Sequence, residues 1–116
     1  MKTLINGRWT DRKEEKQSND GSFKRKDTEF RNWITPDGSP GETGVGGFKA
    51  ESGRYHLYVS LACPWAHRTL IFRKLKNLEP HIGVSIVHPI MLENGWELRT
   101  DFSQCTGDQI LGKNSI

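Results

Sequence analysis

The chain has little to bury and little to cross-link. Only 34% of its 116 residues are hydrophobic, so a large packed core is excluded and at most one small domain is expected. Two cysteines, Cys63 and Cys105, are too few for a disulfide scaffold. No apolar run approaches the length of a membrane span. The N-terminus, Met1 to Trp9, has no apolar segment of the kind a signal peptide needs. Charge of one sign is also missing. Residues 1–50 carry 10 basic and 8 acidic side chains and residues 51–116 carry 7 and 6, so nothing resembles the one-sided basic face of a nucleic-acid binder. Lys24-Arg25-Lys26 is the one dense basic cluster and reads as a solvated loop. These absences together point to a cytoplasmic, reducing setting with no nucleic-acid and no membrane partner.

What is present falls into two unequal parts. Residues 1–53 read as an extension, mostly loop. Leu4 to Trp9 reads as a short strand or an ordered arm around Asn6-Gly7. Asp11 to Lys26 is polar with little to bury. Phe30, Trp33 and Ile34 suggest a small apolar knot, and Pro36 to Gly47 is a run of turn formers. Trp9, Phe30, Trp33 and Phe48 are the candidate anchors of this extension on the rest of the chain.

From residue 54 the pattern sharpens. Tyr55, Leu57, Val59 and Leu61 alternate with His56, Tyr58 and Ser60, which predicts a strand over Arg54 to Ser60. Pro64 to about Lys76 predicts a helix, with Ile71, Leu75 and Leu78 at i, i+4 and i+7 and with Glu79-Pro80 as its stop. Val84 to Val87 predicts a second strand. Strand, helix and strand joined by short links form a βαβ unit with parallel strands, whose ligands bind beyond the carboxyl ends of the strands.

Cys63 lies at that edge. Pro64 suits the first helical position, so Cys63 stands at a helix N-terminus, where a thiolate is favoured and sulfur is reactive. The competing reading is a small buried hydrophobe at a strand end. Cys63-Pro64-Trp65-Ala66 has the look of a thioredoxin-type Cys-x-x-Cys with Ala66 in the second position. A single thiol cannot resolve its own mixed disulfide, so an external thiol must do so, and glutathione is the cellular candidate. His67 and Arg68 are either structural or lend positive charge near the sulfur. Cys105 sits in a polar stretch with nothing local to activate it, and either resolves Cys63, pairs with it, or has no role. His67 follows Cys63 by four residues, which is half a metal site at best. His56, His81 and His88 show no ligand spacing, so no metal is expected. Glu93-Asn94-Gly95-Trp96 follows the second strand with a tight Asn-Gly turn, which leaves Trp96 either to wall a ligand pocket or to pack ordinarily.

The segment Tyr55 to Ile71 and the run Glu93 to Trp96 closely resemble the glutathionyl-hydroquinone reductases, also called Xi-class glutathione transferases. Phe30-Arg31-Asn32-Trp33 and Gly44 to Phe48 resemble that family's N-terminal extension. The resemblance implies an α/β thioredoxin-like domain followed by an all-helical domain, usually in a homodimer. Against that plan, residues 54–116 correspond to a partial thioredoxin-like domain, with the helical C-terminal domain absent. It further implies Cys63 as the catalytic nucleophile, Trp96 as a glutathione contact, and Pro64, Trp65 and Arg68 as support for the site. The implied partners are glutathione, as co-substrate, and quinone-derived glutathione conjugates. The implied reaction removes glutathione from a glutathionyl-hydroquinone. Omega-type or glutaredoxin-like deglutathionylation of other substrates is the near alternative. A catalytically incompetent fragment that serves only as an interaction module is the distant one.

Overall fold

The structure is a computed structural model that describes residues 2–5, 8–11, 21–22 and 27–116. Asn6-Gly7, most of the polar segment 12–26 with Lys24 to Lys26, and the side chain of Trp9 lie outside the described residues. Three two-stranded sheets and one helix follow in chain order. β1 (Lys2–Ile5) and β2 (Arg8–Asp11) pair antiparallel, so the Leu4 to Trp9 region is a pair of short strands. β3 (Trp33–Thr35) and β4 (Gly47–Lys49) pair parallel.

The loop between β3 and β4 is held by its own polar atoms. Asn32 Oδ1 accepts the amides of Val45 (3.2 Å) and Gly46 (3.0 Å), and Trp33 Nε1 donates to Thr43 Oγ1 at 2.8 Å. The backbone passes so closely that a Cβ on Gly47 would lie 2.0 Å from Ser39 O, which only glycine avoids. This corrects the expected apolar knot. Phe30 is 94% exposed, and Trp33, Ile34 and Phe48 are about half exposed. Trp33 lies over Gly41 in this loop, and Phe30 anchors nothing.

The βαβ unit is present and its strands are parallel. β5 (Tyr55–Val59) pairs with β6 (Ile82–Ile86), with Tyr55 opposite Ile82 and Val59 opposite Ile86. β6 starts two residues before the expected Val84 because Gly83 belongs to the strand. Gly83 faces His56, whose Nδ1 would be 2.5 Å from any Cβ there, so a residue that reads as a turn former is a space requirement.

Between the strands runs α1 (Pro64–Leu75). Its half-buried positions are Ala66, Leu70 and Arg73, again at i, i+4 and i+7 but on a different face from the expected one. Ile71, Phe72 and Leu75 are exposed. Arg73 explains the choice: its Nε donates to Ile82 O at 2.7 Å and its Nη2 to Glu79 O at 3.2 Å, which ties the helix end to the start of β6. The helix stops before Glu79-Pro80. Asn77 adopts a left-handed φ of 55°, its amide bonds Lys74 O (3.1 Å) and the Leu78 amide bonds Arg73 O (2.9 Å), a Schellman ending.

The core is small. Val59, Val87 and Leu98 are its buried apolar residues among those described, and Ser60, Ser85 and His88 are buried with them. Each buried side-chain polar atom among the described residues has a partner. Past β6 the chain returns along that strand's outer edge, where Thr106 N donates to Ile86 O (3.2 Å) and Ile86 N donates to Thr106 Oγ1 (2.8 Å).

Asp108 then locks this return onto the sheet. Its carboxylate accepts the amides of Ile110 (2.9 Å), Leu111 (3.1 Å) and Lys113 (2.9 Å), and the Tyr58 hydroxyl of β5 at 2.8 Å. Those donors, the Lys113 amide first, hold the carboxyl far below its ordinary value of 3.8, and the bond to Asp108 in turn holds the Tyr58 hydroxyl above its own. A depressed carboxyl stabilises the fold fully above its unfolded value and loses that contribution only as pH falls toward the folded one. Asp108→Ala is therefore expected to lower the denaturant midpoint at neutral pH and to expose Tyr58. The gap from wild type should stay constant down to about pH 4 and shrink in stronger acid. Equal midpoints at neutral pH would show that the clamp carries no stability.

Candidate active site

The site begins with the way β5 ends. Ser60 is buried, its hydroxyl accepts the Ala62 amide (3.2 Å) and its carbonyl accepts the Cys63 amide (3.1 Å). This serine turn stops the strand and aims the chain into α1. Cys63 is the N-cap residue, with extended backbone (φ −94°, ψ 116°), and its carbonyl takes the His67 amide at 3.0 Å. Pro64 occupies the first helical position, as its fixed φ favours. No acidic residue stands in the first turn, and Cys63 makes no side-chain cap bond. The half-exposed sulfur therefore sits at the positive end of the helix, where negative charge is favoured.

The other expected site residues lie in α1 and in the segment after β6. Trp65 is exposed in the first turn. Arg68 is exposed five positions after Cys63, about 140° round the helix axis from it. Trp96 is half-buried in the segment that follows β6. Because β5 and β6 are parallel, Cys63 and the Trp96 segment leave the sheet at one edge.

That segment is a closed loop. The His88 amide donates to Glu97 O at 2.8 Å across its base. Within it, Leu92 and Gly95 bracket a turn with the Gly95 amide on Leu92 O (3.1 Å), and Gly95 has a left-handed φ of 77°, so the Asn-Gly turn forms where expected. Asn94 Nδ2 donates to Glu97 Oε1 at 2.9 Å. With Arg99, this holds the Glu97 carboxyl below its ordinary range. Arg99 also pairs with Asp101, whose carboxyl it lowers.

Two hollows adjoin this region. One of about 40 Å³ is lined by Leu61, Val87, Pro89, Phe102 and Cys105. The other, about 670 Å³, is bordered by Asn94, Glu97, Arg99, Asp101 and Asn114, and includes neither Cys63 nor Trp96. Its one cation, Arg99, is already held by two carboxylates. Cys105 is differently placed from Cys63: its Sγ donates to Val87 O at 3.4 Å. Among the described residues no group of three or more His, Cys, Asp or Glu side chains is placed to hold a metal ion, and no helix is long and apolar enough to cross a membrane.

Sequence reasoning missed two residues here. Asp108 carries an Asx pattern, an acid followed within five residues by the amides it accepts, that a search for turn chemistry finds. His88 had no such signal, because its role depends on a contact with Phe102 that spacing does not encode.

Comparison with known proteins places these features in context. No family model matches the chain. It is 60% identical over 110 residues to the glutathionyl-hydroquinone reductase YqjG of Escherichia coli K12, a match that covers 95% of this chain and 34% of that protein. The glutathione-bound structure of that bacterial protein, a glutathione transferase homologue, superposes with a TM-score of 0.70 at 65% identity over 74% of this chain and 28% of the other. The Xi glutathione transferase of Phanerochaete chrysosporium superposes with a TM-score of 0.72 at 50% identity over 86% of this chain and 30% of the other. The chain thus spans about a third of the length of the curated relative it matches.

The two cysteines should differ in reactivity. Cys63 is expected to react with iodoacetamide at neutral pH roughly fivefold faster than Cys105, given the field at a helix N-terminus and the carbonyl contact of the other thiol. Peptide mapping of partly alkylated chain measures both rates at once, and equal rates would remove the case for an activated Cys63.

Proposed function

Since this chain belongs to the Xi-class glutathione transferases, the glutathionyl-hydroquinone reductases, as their N-terminal part, we propose that it carries the reactive half of a glutathione-dependent thiol reductase. The observation that carries the reading is Cys63 at the N-terminus of α1, beyond the carboxyl end of a parallel strand, with Ala66 where a resolving cysteine would stand. Glutathione is the thiol co-substrate, and glutathionyl-hydroquinones are the substrates. The cytoplasm supplies the reduced glutathione.

The chemistry balances with one protein sulfur. The Cys63 thiolate attacks the sulfur of the conjugate. The aryl carbon–sulfur bond breaks, its electron pair goes to the ring carbon with a proton, and hydroquinone leaves. Cys63 now carries glutathione as a mixed disulfide. A second glutathione thiolate attacks the glutathione sulfur, oxidised glutathione departs and the Cys63 thiolate returns. Two glutathione sulfurs are oxidised together as the aryl–sulfur bond is reduced. In this scheme Trp96 contacts bound glutathione, Pro64 and Trp65 shape the helix start, and Arg68 adds positive potential. The working assembly is a homodimer in which residues 54–116 form part of the thioredoxin-like domain.

The same thiol chemistry serves an omega-type or glutaredoxin-like transferase, and the leaving group is what separates them. Cys63→Ser is expected to abolish both the glutathione adduct and hydroquinone release, whereas Cys105→Ser retains most of each. Intact-mass measurement after exposure to oxidised glutathione, and chromatography of released hydroquinone, read the two steps separately. Comparable loss in Cys105→Ser would replace this scheme with a dithiol one. An adduct on Cys63 without hydroquinone release would favour the broader deglutathionylating activity.

A further inference from the structure

We infer that His88 is a positioning residue for Trp96, and so sets how glutathione is recognised at the Cys63 edge. The inference rests on the proposed role of Trp96 as a glutathione contact.

His88 joins both limbs of the loop that carries Trp96. It leaves β6 two residues past Ile86 and is only 8% exposed. On the outgoing limb, its Nδ1 lies 3.2 Å from the Ile90 amide and 3.4 Å from the Ile90 carbonyl, and in the tautomer with the proton on Nε2 it accepts the shorter of the two contacts. On the returning limb, its backbone amide donates to Glu97 O at 2.8 Å, next to Trp96 in sequence. Its ring meets Phe102 edge-to-face, with centroids 5.2 Å apart, and Phe102 lies on the stretch that leads away from the loop. One side chain and its own backbone therefore fix the departure, the closure and the return of a loop whose residues Ile90, Met91 and Leu92 are themselves exposed.

The loop has few other supports. Its own turn, Leu92 to Gly95, is local, and the Asn94 to Glu97 bond stays within the loop. Residues 114–116 pin the returning limb: the Trp96 carbonyl accepts the Ile116 amide at 3.0 Å and the Leu98 amide donates to Asn114 O at 2.8 Å, an antiparallel bridge of Glu97 with Ser115, which holds the backbone on that side but not the approach from β6. Without the acceptor at Nδ1, the Ile90 amide loses its partner and the Pro89-Ile90 bend loses its reason to form. Trp96 would then sample several positions, and part of its contact energy would go into ordering the loop. Cys63 is held by Ser60 and α1, with no part of this loop, so the sulfur itself should not respond.

The test is a ratio of two rates measured on the whole chain, with oxidised glutathione and with iodoacetamide, both at Cys63. The first needs recognition of glutathione and the second does not. Asparagine can place its carbonyl oxygen near the position of Nδ1, whereas glutamine places its amide farther out, near Nε2. His88→Asn should therefore keep the ratio within about twofold of wild type, and His88→Gln should lower it about fivefold, the scale of one lost neutral hydrogen bond. The alkylation rate should stay level in both. Adding Trp96→Ala to His88→Gln should cost no more than Trp96→Ala alone, because both act on the same contact.

A wild-type ratio in His88→Gln, with a lowered one in Trp96→Ala, would overturn the inference and leave the glutathione site standing. Parallel loss of both rates would also overturn it, since a general loosening of the fold does that. An unchanged ratio in Trp96→Ala would remove the Trp96 assignment and this inference with it.

Discussion

Parallel pairing of β5 with β6 is the constraint on which the rest of this molecule depends. Parallel strands leave a sheet at the same end, so the two segments that follow them must share an edge. After β5 comes Cys63, and after β6 comes the loop with Trp96. An antiparallel pair would have sent them to opposite ends. The pairing is only five residues long, and its buried apolar residues are few. Polar contacts at the strand ends therefore carry more of the definition than they would in a larger domain. Ser60 fixes the exit of β5, Arg73 ties α1 to the entry of β6, and Asp108 fastens the returning chain to Tyr58.

How much of this the sequence reveals depends on how local each cause is. The strand over Tyr55 to Val59, the helix start at Cys63-Pro64, the Asn-Gly turn and the turn-rich run from Pro36 are all written in neighbouring residues, and all are legible. The misread features have causes elsewhere in the chain. The second strand begins at Ile82 and not at Val84, because Gly83 leaves room for His56 opposite it. The stripe Ile71, Leu75, Leu78 has helical spacing, but spacing defines only a periodicity. Which face is covered is set by Arg73 reaching Ile82 O, a contact nine residues along the chain. Phe30 is apolar by composition and exposed in fact, because no element among those described passes near enough to cover it. The candidate site divides in the same way. Cys63 is legible because helix capping is local chemistry, whereas Trp96 is bonded by the Ile116 amide and its loop is closed by His88 on Glu97, contacts that spacing does not encode.

The surface left open is as informative as the core. Ile71, Phe72 and Leu75 are exposed on α1, and among the described residues β5 pairs on one side only. An unpaired strand edge beside an apolar helix face is a surface that folded proteins cover or charge. The relatives that match this chain are about three times its length.

Chemistry and recognition are physically separable in this arrangement. Nucleophilicity at Cys63 draws on one turn of helix, a proline at its first position and a serine turn, all within residues 60–67. These contacts are local in sequence, and local contacts are the least sensitive to what happens elsewhere in a small fold. Under the proposed function, recognition draws on a loop of ten residues, His88 to Glu97, whose ends are closed by one backbone bond and whose approach is shaped by one imidazole nitrogen. Such a loop costs little to rearrange, since few buried apolar groups hold it. A site built this way keeps a reactive sulfur even when its specificity is altered. Among relatives, a shared cysteine turn with different loops would conserve thiol exchange while changing what is brought to the sulfur. Under the proposed function, the identity of the substrate depends less on Cys63 than on the way the segment from His88 to Glu97 is held.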